Sequence, residues 1–207
     1  MSAATTLLSP KKKATPPRYI SIEEYFRAEE KSLHKNEYHD GIIVKMAGAL
    51  LPHNRLASQV ITLLNNFVYD NDFDFIISNS DTKIRIDAVN RFVYPDAVVI
   101  CEKPEYYEGR EDTITNPTAV VEVLSNSTKN HDSNLKFDMY RTLPSFKEYV
   151  LIHQDRKWVS VYSKQPNNVW HLIDYDGDDA VAILQNVNNC PLSLKRLYQM
   201  PNIIRLF

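Results

Sequence analysis

The sequence predicts an α/β protein built on a central mixed β-sheet flanked by helices, and three observations predict it. Two short runs, Ala97 to Ile100 and Ala119 to Leu124, are apolar and largely β-branched. They lack the alternation of a half-exposed strand and read as strands buried on both faces of a sheet. Pro52 to Tyr69 carries Leu56, Val60, Leu63, Leu64 and Phe67 at spacings of four, three, one and three, one face of a 3.6-residue period. A second helical stretch, Asn130 to Thr142, follows the second apolar run, with Leu135 and Met139 expected toward the core and Pro144 ending it. One helix is expected on each side of the sheet.

The remaining elements follow in chain order. Residues 1–17, with small residues, Lys11-Lys12-Lys13 and Pro16-Pro17, are expected to form a flexible tail. Residues 18–207 are expected to form one domain. Ser21, with Glu24 three residues on, is a capping box opening a helix whose apolar side is Ile22, Tyr25 and Phe26. Glu37 to Val44 reads as a hairpin around Asp40-Gly41. Strands are expected near Phe75–Ser78, Lys83–Ile86 and Val93–Cys101, then a charged loop from Lys103 to Pro117 with Gly109. Asn126-Ser127-Thr128 supplies capping side chains for the second helix. Lys147–His153, Trp158–Ser163 and Val169–Tyr175 are three more strands, and residues 180–207 are shorter and less periodic.

Composition narrows the function. The 207 residues are 43% hydrophobic, enough for one sizeable core, and 24 basic residues against 26 acidic ones leave a net charge of −2. A basic footprint spread over the whole molecule is therefore absent, although a local groove can still hold nucleic acid. Only four glycines are present, which excludes glycine-rich phosphate loops of the dinucleotide or P-loop type. Cys101 and Cys190 have no zinc or disulfide spacing, so a reducing, cytoplasmic setting is expected. No apolar run is long enough for a membrane helix, and no membrane partner is expected.

The chemistry concentrates in two carboxylates. Asp96, in Tyr94-Pro95-Asp96, and Glu122, 26 residues later in Ala119-Val120-Val121-Glu122-Val123-Leu124, are each set in an apolar strand run. A carboxylate there is costly unless it is paired or holds a cation. Magnesium prefers carboxylate and carbonyl oxygens. Asp96 and Glu122 on adjacent strands would supply two ligands, and the backbone carbonyl of Val123 a third. Lys136, one to two turns into the following helix, would orient an attacking water or steady a phosphate. Together these are the parts that phosphodiester hydrolysis needs.

The blocks Tyr94-Pro95-Asp96, Val121-Glu122-Val123-Leu124-Ser125, then Asp132, Lys136 and Tyr140 at four-residue steps, then Pro144 to Tyr149, resemble the PD-(D/E)xK nuclease superfamily. Within it, the chain is similar to a large bacterial family of restriction-endonuclease-like proteins, most without an assigned role. The resemblance runs from about Tyr19 to about Ser163 and includes Glu37 before the Asp40-Gly41 turn and His53 opening the long helix. It implies a restriction-endonuclease-like core and DNA cleavage with Mg2+, or Mn2+ as a substitute. It also implies Glu37 as an accessory acid; a homodimer is expected on the separate ground that cutting both strands needs two sites. The superfamily's lysine normally lies two residues after the second acid, a position held here by Leu124. Lys136 is the residue that would take over its role.

Other readings compete. Asp96 alone can be a turn residue after Pro95, and Asp132 and Lys136 can form a simple helical ion pair. Glu37 can be a solvated strand residue, His53 a capping or core histidine, and Tyr140 a packing residue. A nuclease fold that binds nucleic acid or a protein partner without cutting is the main alternative function, and an enzyme acting on another phosphate ester is a second.

Overall fold

A computed structural model describes residues 18–124 and 132–199. The expected tail, the Asn126-Ser127-Thr128 cap, Asn130, His131 and residues 200–207 lie outside the described residues. The chain runs α1 (Ile22–Glu29), β1 (Asn36–His39), β2 (Ile42–Lys45), α2 (Leu51–Asp70), β3 (Ile76–Asn79), β4 (Lys83–Ile86), β5 (Arg91–Val93), β6 (Ala97–Ile100), β7 (Tyr106–Tyr107), β8 (Arg110–Ile114) and β9 (Ala119–Leu124). It continues through α3 (Asp132–Tyr140), β10 (Glu148–His153), β11 (Trp158–Lys164), β12 (Trp170–Asp176), β13 (Val181–Leu184), β14 (Cys190–Ser193) and α4 (Leu194–Leu197).

Local chemistry accounts for the first elements. The Ser21 hydroxyl accepts from the Glu24 N–H at 3.2 Å, and the Glu24 carboxylate accepts from the Ser21 N–H at 3.1 Å, closing the capping box on α1. Asp40 and Gly41 both have positive φ, 44° and 91°, as a tight turn between β1 and β2 requires. Gly41 also lies under the Tyr19 ring, where an added Cβ would collide.

The α/β class is as expected, but two six-stranded sheets stand where one central sheet was expected. One has the order β2-β1-β5-β4-β8-β7 and the other β12-β11-β10-β9-β6-β3, and β13 and β14 form a small hairpin. Both large sheets are mixed: β9 and β10 pair in parallel, as do β4 and β8, and the other neighbours are antiparallel. The expected strand over Val93–Cys101 is two strands in different sheets, because Tyr94-Pro95-Asp96 carries the chain from one to the other. Pro95 has no N–H for a ladder, which explains the break. The Lys103–Pro117 loop contains a hairpin, β7 and β8, turning at Glu108-Gly109 with φ of 47° and 74°. Its charged exposed face hid the strand pattern.

Strand β9 is buried throughout and alternates between two cores. Val121 and Val123 pack with Ala97, Val99 and the α2 residues Leu56, Val60, Leu63 and Leu64. Val120 and Leu124 pack with Val98, Ile100 and the α3 residues Met139 and Tyr140. The two helices therefore cover opposite faces of this sheet, as expected. Leu135 is a correction: it is 51% exposed, and Met139, Tyr140 and the partly buried Phe137 make the inward face of α3 instead. A third core, Tyr25, Phe26, Tyr38 and Phe92, seats α1 on the first sheet. Leu64 is almost wholly buried. Leu64→Ala should lower stability by about 2–5 kcal/mol in urea titration through lost transfer energy and a residual cavity.

Candidate active site

Alternation along β9 turns Glu122 away from α2 and toward α3, into the core face shared by Val120 and Leu124. On α3, Lys136 and Tyr140 are four residues apart and so share a face. Both reach the same oxygen. The Lys136 ammonium lies 3.1 Å from Glu122 Oε1, and the Tyr140 hydroxyl donates to it at 3.2 Å. Tyr140 was expected only to pack; it packs and also donates. The helical spacing from Lys136 was the available signal. Asp132 belongs to α3, but its side chain lies outside the described residues.

Asp96 is fixed from two sides. Its Oδ2 accepts from the Val123 N–H at 2.7 Å and lies 3.2 Å from His53 Nε2, near the start of α2. Strand β6 begins at Ala97, paired with Val121, so β9 runs past it and the Asp96 side chain takes the place of a ladder partner for Val123. The Leu124 carbonyl accepts from Gln154 N–H on the β10 side, so the alternating Val123 carbonyl belongs to the edge that faces Asp96. His53, expected as a capping or core residue, instead pairs with Asp96. Its place at the head of the long helix was the only signal.

Glu37 on β1 is also buried. Its Oε1 accepts from the Tyr94 N–H at 3.3 Å, and its Oε2 lies 2.8 Å from His39 Nε2. Burial pushes its pKa up, but the His39 hydrogen bond, the Lys136 charge and the Tyr94 N–H outweigh that and hold it below the usual carboxylate range. Glu37 thus sits behind Asp96, tied to the segment that carries it.

His53, Asp96, Glu122, Val123 and Lys136 line one cleft of about 510 Å³. Burial raises the Glu122 pKa to about 7; the Lys136 ammonium pulls it down, and the charges of Asp96 and Glu37 add to the rise. The Asp96 hydrogen bond, against the effect of burial, raises the His53 pKa, with the charges of Asp96 and Glu122 and a bond with Asn54 adding to it. Glu122 is thus close enough to feel the charges of both other carboxylates.

A purely structural carboxylate in the same molecule shows the contrast. Glu148, fully buried on β10, accepts from Ser163 Oγ, the Gln185 and Asn186 N–H groups and Asn186 Nδ2 at 2.7 to 3.0 Å. Those neutral donors clasp a turn and leave it no exposed surface. Glu122 instead meets a lysine at the wall of a cleft.

The donor set suits a hard divalent ion: two carboxylates and a strand-edge carbonyl, all oxygen. No three His, Cys, Asp or Glu side chains among the described residues stand together as a ready metal cage. Magnesium, which keeps several waters, does not require one.

Two mixed sheets, α2 and α3 on opposite faces of one of them, Asp96 at the crossing between sheets and Glu122 on the neighbouring strand define a restriction-endonuclease-like α/β protein. The crystal structure of a putative nuclease belonging to DUF820 from Anabaena variabilis shares this fold: TM-score 0.66, 19% identity, 86% of this chain and 97% of that one covered. A family model described as "Uma2: Putative restriction endonuclease" matches residues 22–194. Two uncharacterized proteins from Synechocystis sp. (strain PCC 6803) are similar: sll1609, 34% identical over 163 residues (79% of this chain, 91% of that one), and slr1290, 33% identical over 166 residues (79% and 84%). The chain belongs to the Uma2 family of putative restriction endonucleases.

Proposed function

We propose that this protein is a divalent-metal-dependent endonuclease that hydrolyses DNA phosphodiester bonds in the cleft lined by His53, Asp96, Glu122 and Lys136. The observation that carries the reading is the pairing of Lys136 with a buried Glu122 beside Asp96, all opening on one cleft. On this reading a helical lysine beside Glu122 takes the part that the superfamily pattern gives to a strand lysine, whose position Leu124 holds here. That favours catalysis over the silent-fold alternative.

Asp96, Glu122 and the Val123 carbonyl would hold Mg2+, or Mn2+ in its place. The bound ion would polarise the scissile phosphate and lower the pKa of a water. Lys136, shared between Glu122 and the cleft, would orient the attacking water and neutralise charge developing on the phosphate. Tyr140 would hold Oε1 of Glu122 on the helix side. His53 would steady Asp96 from the α2 side, and Glu37 would act as the accessory acid, fixing Tyr94 and with it the approach to Asp96. No helix among the described residues is long and apolar enough to cross a membrane.

The test is cleavage of supercoiled plasmid with Mg2+, with Asp96→Ala and EDTA controls. Nicked or linear product that vanishes in both controls is the expected result. Equal cleavage by Asp96→Ala would locate the activity elsewhere, and no cleavage with either metal would favour a binding role.

A further inference from the structure

The cleft has two unlike halves. One part of its lining carries the charged groups described above; the other, its rim, mixes the apolar Leu33, Met46, Ala47 and Ala49 with the polar His34, Lys35, Asn54 and Ser80. Beyond Ala49 stand Leu50 and Leu51. Leu33 is 97% exposed, and Leu50 and Leu51 are 74% and 75% exposed. The Leu33 and Met46 segments lie side by side, because the β1–β2 ladder ends at Asn36 and Lys45 and the Met46 N–H donates to the Lys35 carbonyl at 3.0 Å. Such large exposed leucines contribute nothing to the cores described above.

Charge around the rim identifies the occupant. Residues 31–35 and 45–55 contain Lys31, Lys35, Lys45 and Arg55 and no aspartate or glutamate, in a chain whose net charge is −2. Lys31 and Lys45 are exposed. Lys35 is turned to Ser80 and Asp81, and Arg55 donates to the Gln199 carbonyl. A basic, partly apolar rim beside the acidic, lysine-bearing groups fits a polyanion that also offers apolar faces. Intact duplex offers mainly phosphates on its outside, whereas an opened base step offers both.

We propose that the rim is a wedge, and that the cleft takes DNA with unstacked bases beside the scissile phosphate, such as a fork or a single-strand junction. Leu33 and Leu50 enter the opened step from the two segments, and Lys31 and Lys45 hold the flanking phosphates. This deepens the nuclease reading and rests on it. Unstacking a duplex step costs a few kcal/mol and an opened step costs less, so apolar insertion favours opened DNA.

The test is fluorescence anisotropy in EDTA with the wild-type protein, using a short blunt duplex and a forked duplex of the same sequence carrying 2-aminopurine at the fork. The fork is expected to bind about tenfold more tightly than the duplex, with 2-aminopurine emission rising on binding. Leu33→Ser with Leu50→Ser should erase that preference and the emission change, while duplex affinity stays unchanged and Tm is equal or slightly raised, since both leucines are exposed and Leu50 is the N-cap of α2, where serine can accept a cap hydrogen bond. Equal affinity for the two DNAs, or a preference that survives the double substitution, would overturn the wedge. Plasmid cleavage that persists in that case leaves the nuclease reading standing. If the protein binds neither DNA, and also leaves plasmid intact with Mg2+ and Mn2+, both readings fall. Self-association lost in the double variant, with DNA binding unaltered, would assign the rim to a protein contact and overturn the proposal.

Discussion

Glu122→Gln and Asp96→Asn are each expected to lower plasmid cleavage by roughly 10³-fold, the scale of losing several kcal/mol of metal-derived stabilisation. The Tm without metal should nevertheless stay equal or rise. Burial raises the Glu122 pKa from 4.5 to about 7, so the ionised carboxylate destabilises the folded protein. The sign follows from proton binding: between about pH 4.5 and about 7 the folded state keeps a proton that the unfolded state has lost. Stability therefore falls as pH rises through that window, and the full penalty is present above it. That penalty is on the order of 3 kcal/mol, net of the attraction to Lys136. Glu122→Gln should flatten the decline of Tm across the window in scanning calorimetry. Metal should reverse the ranking, stabilising the wild type and not the variant. A large loss of stability in both variants would make these carboxylates structural acceptors of the Glu148 kind.

Lys136→Met should lower turnover by about 10²-fold or more, the usual scale for losing a donor that acts in the transition state. The Lys136 charge also holds the Glu122 pKa down, so its removal strengthens proton competition for the metal site. Metal affinity, read by calorimetric titration with Mn2+, should fall at neutral pH and recover in alkaline buffer. Turnover should stay low in both. A variant whose activity returns together with metal binding would make Lys136 a tuner of Glu122 and leave the attacking water without an assigned partner.

Much of the core was legible because period and burial coincide there. Leu56, Val60, Leu63 and Leu64 share a helical face, and Ala119 to Leu124 has no polar interruption except Glu122. The division into two sheets was not legible, although the Glu37–Val44 hairpin and the Lys83–Ile86 strand of the sheet that carries α1 were. The strands of that sheet are short, and the chain passes between sheets at Tyr94-Pro95-Asp96, inside what reads as one continuous apolar strand. The β7–β8 hairpin was hidden because Arg110, Glu111 and Asp112 mask the alternation on its open side. Leu135 misled because hydrophobic type alone does not fix which side of a short helix packs. Asp96, Glu122 and Lys136 were legible as a set through their spacing, and the structure brings them to one cleft. The His53 and Tyr140 contacts depend on how α2 and α3 lie across the sheet, which local pattern does not encode. Glu148 gave no signal, because its donors come from residues up to 38 positions away.

The proposed hydrolysis requires Asp96 and Glu122 to share one divalent ion at the end of β9. A Mn2+ soak of a crystal, read by anomalous diffraction, tests it most directly. The predicted result is one peak bonded to Asp96, Glu122 and the Val123 carbonyl oxygens at roughly 2.0–2.2 Å, close to the distances typical of magnesium, with Lys136 still beside Glu122. An empty cleft at saturating Mn2+, or a peak bonded to neither carboxylate, would contradict it.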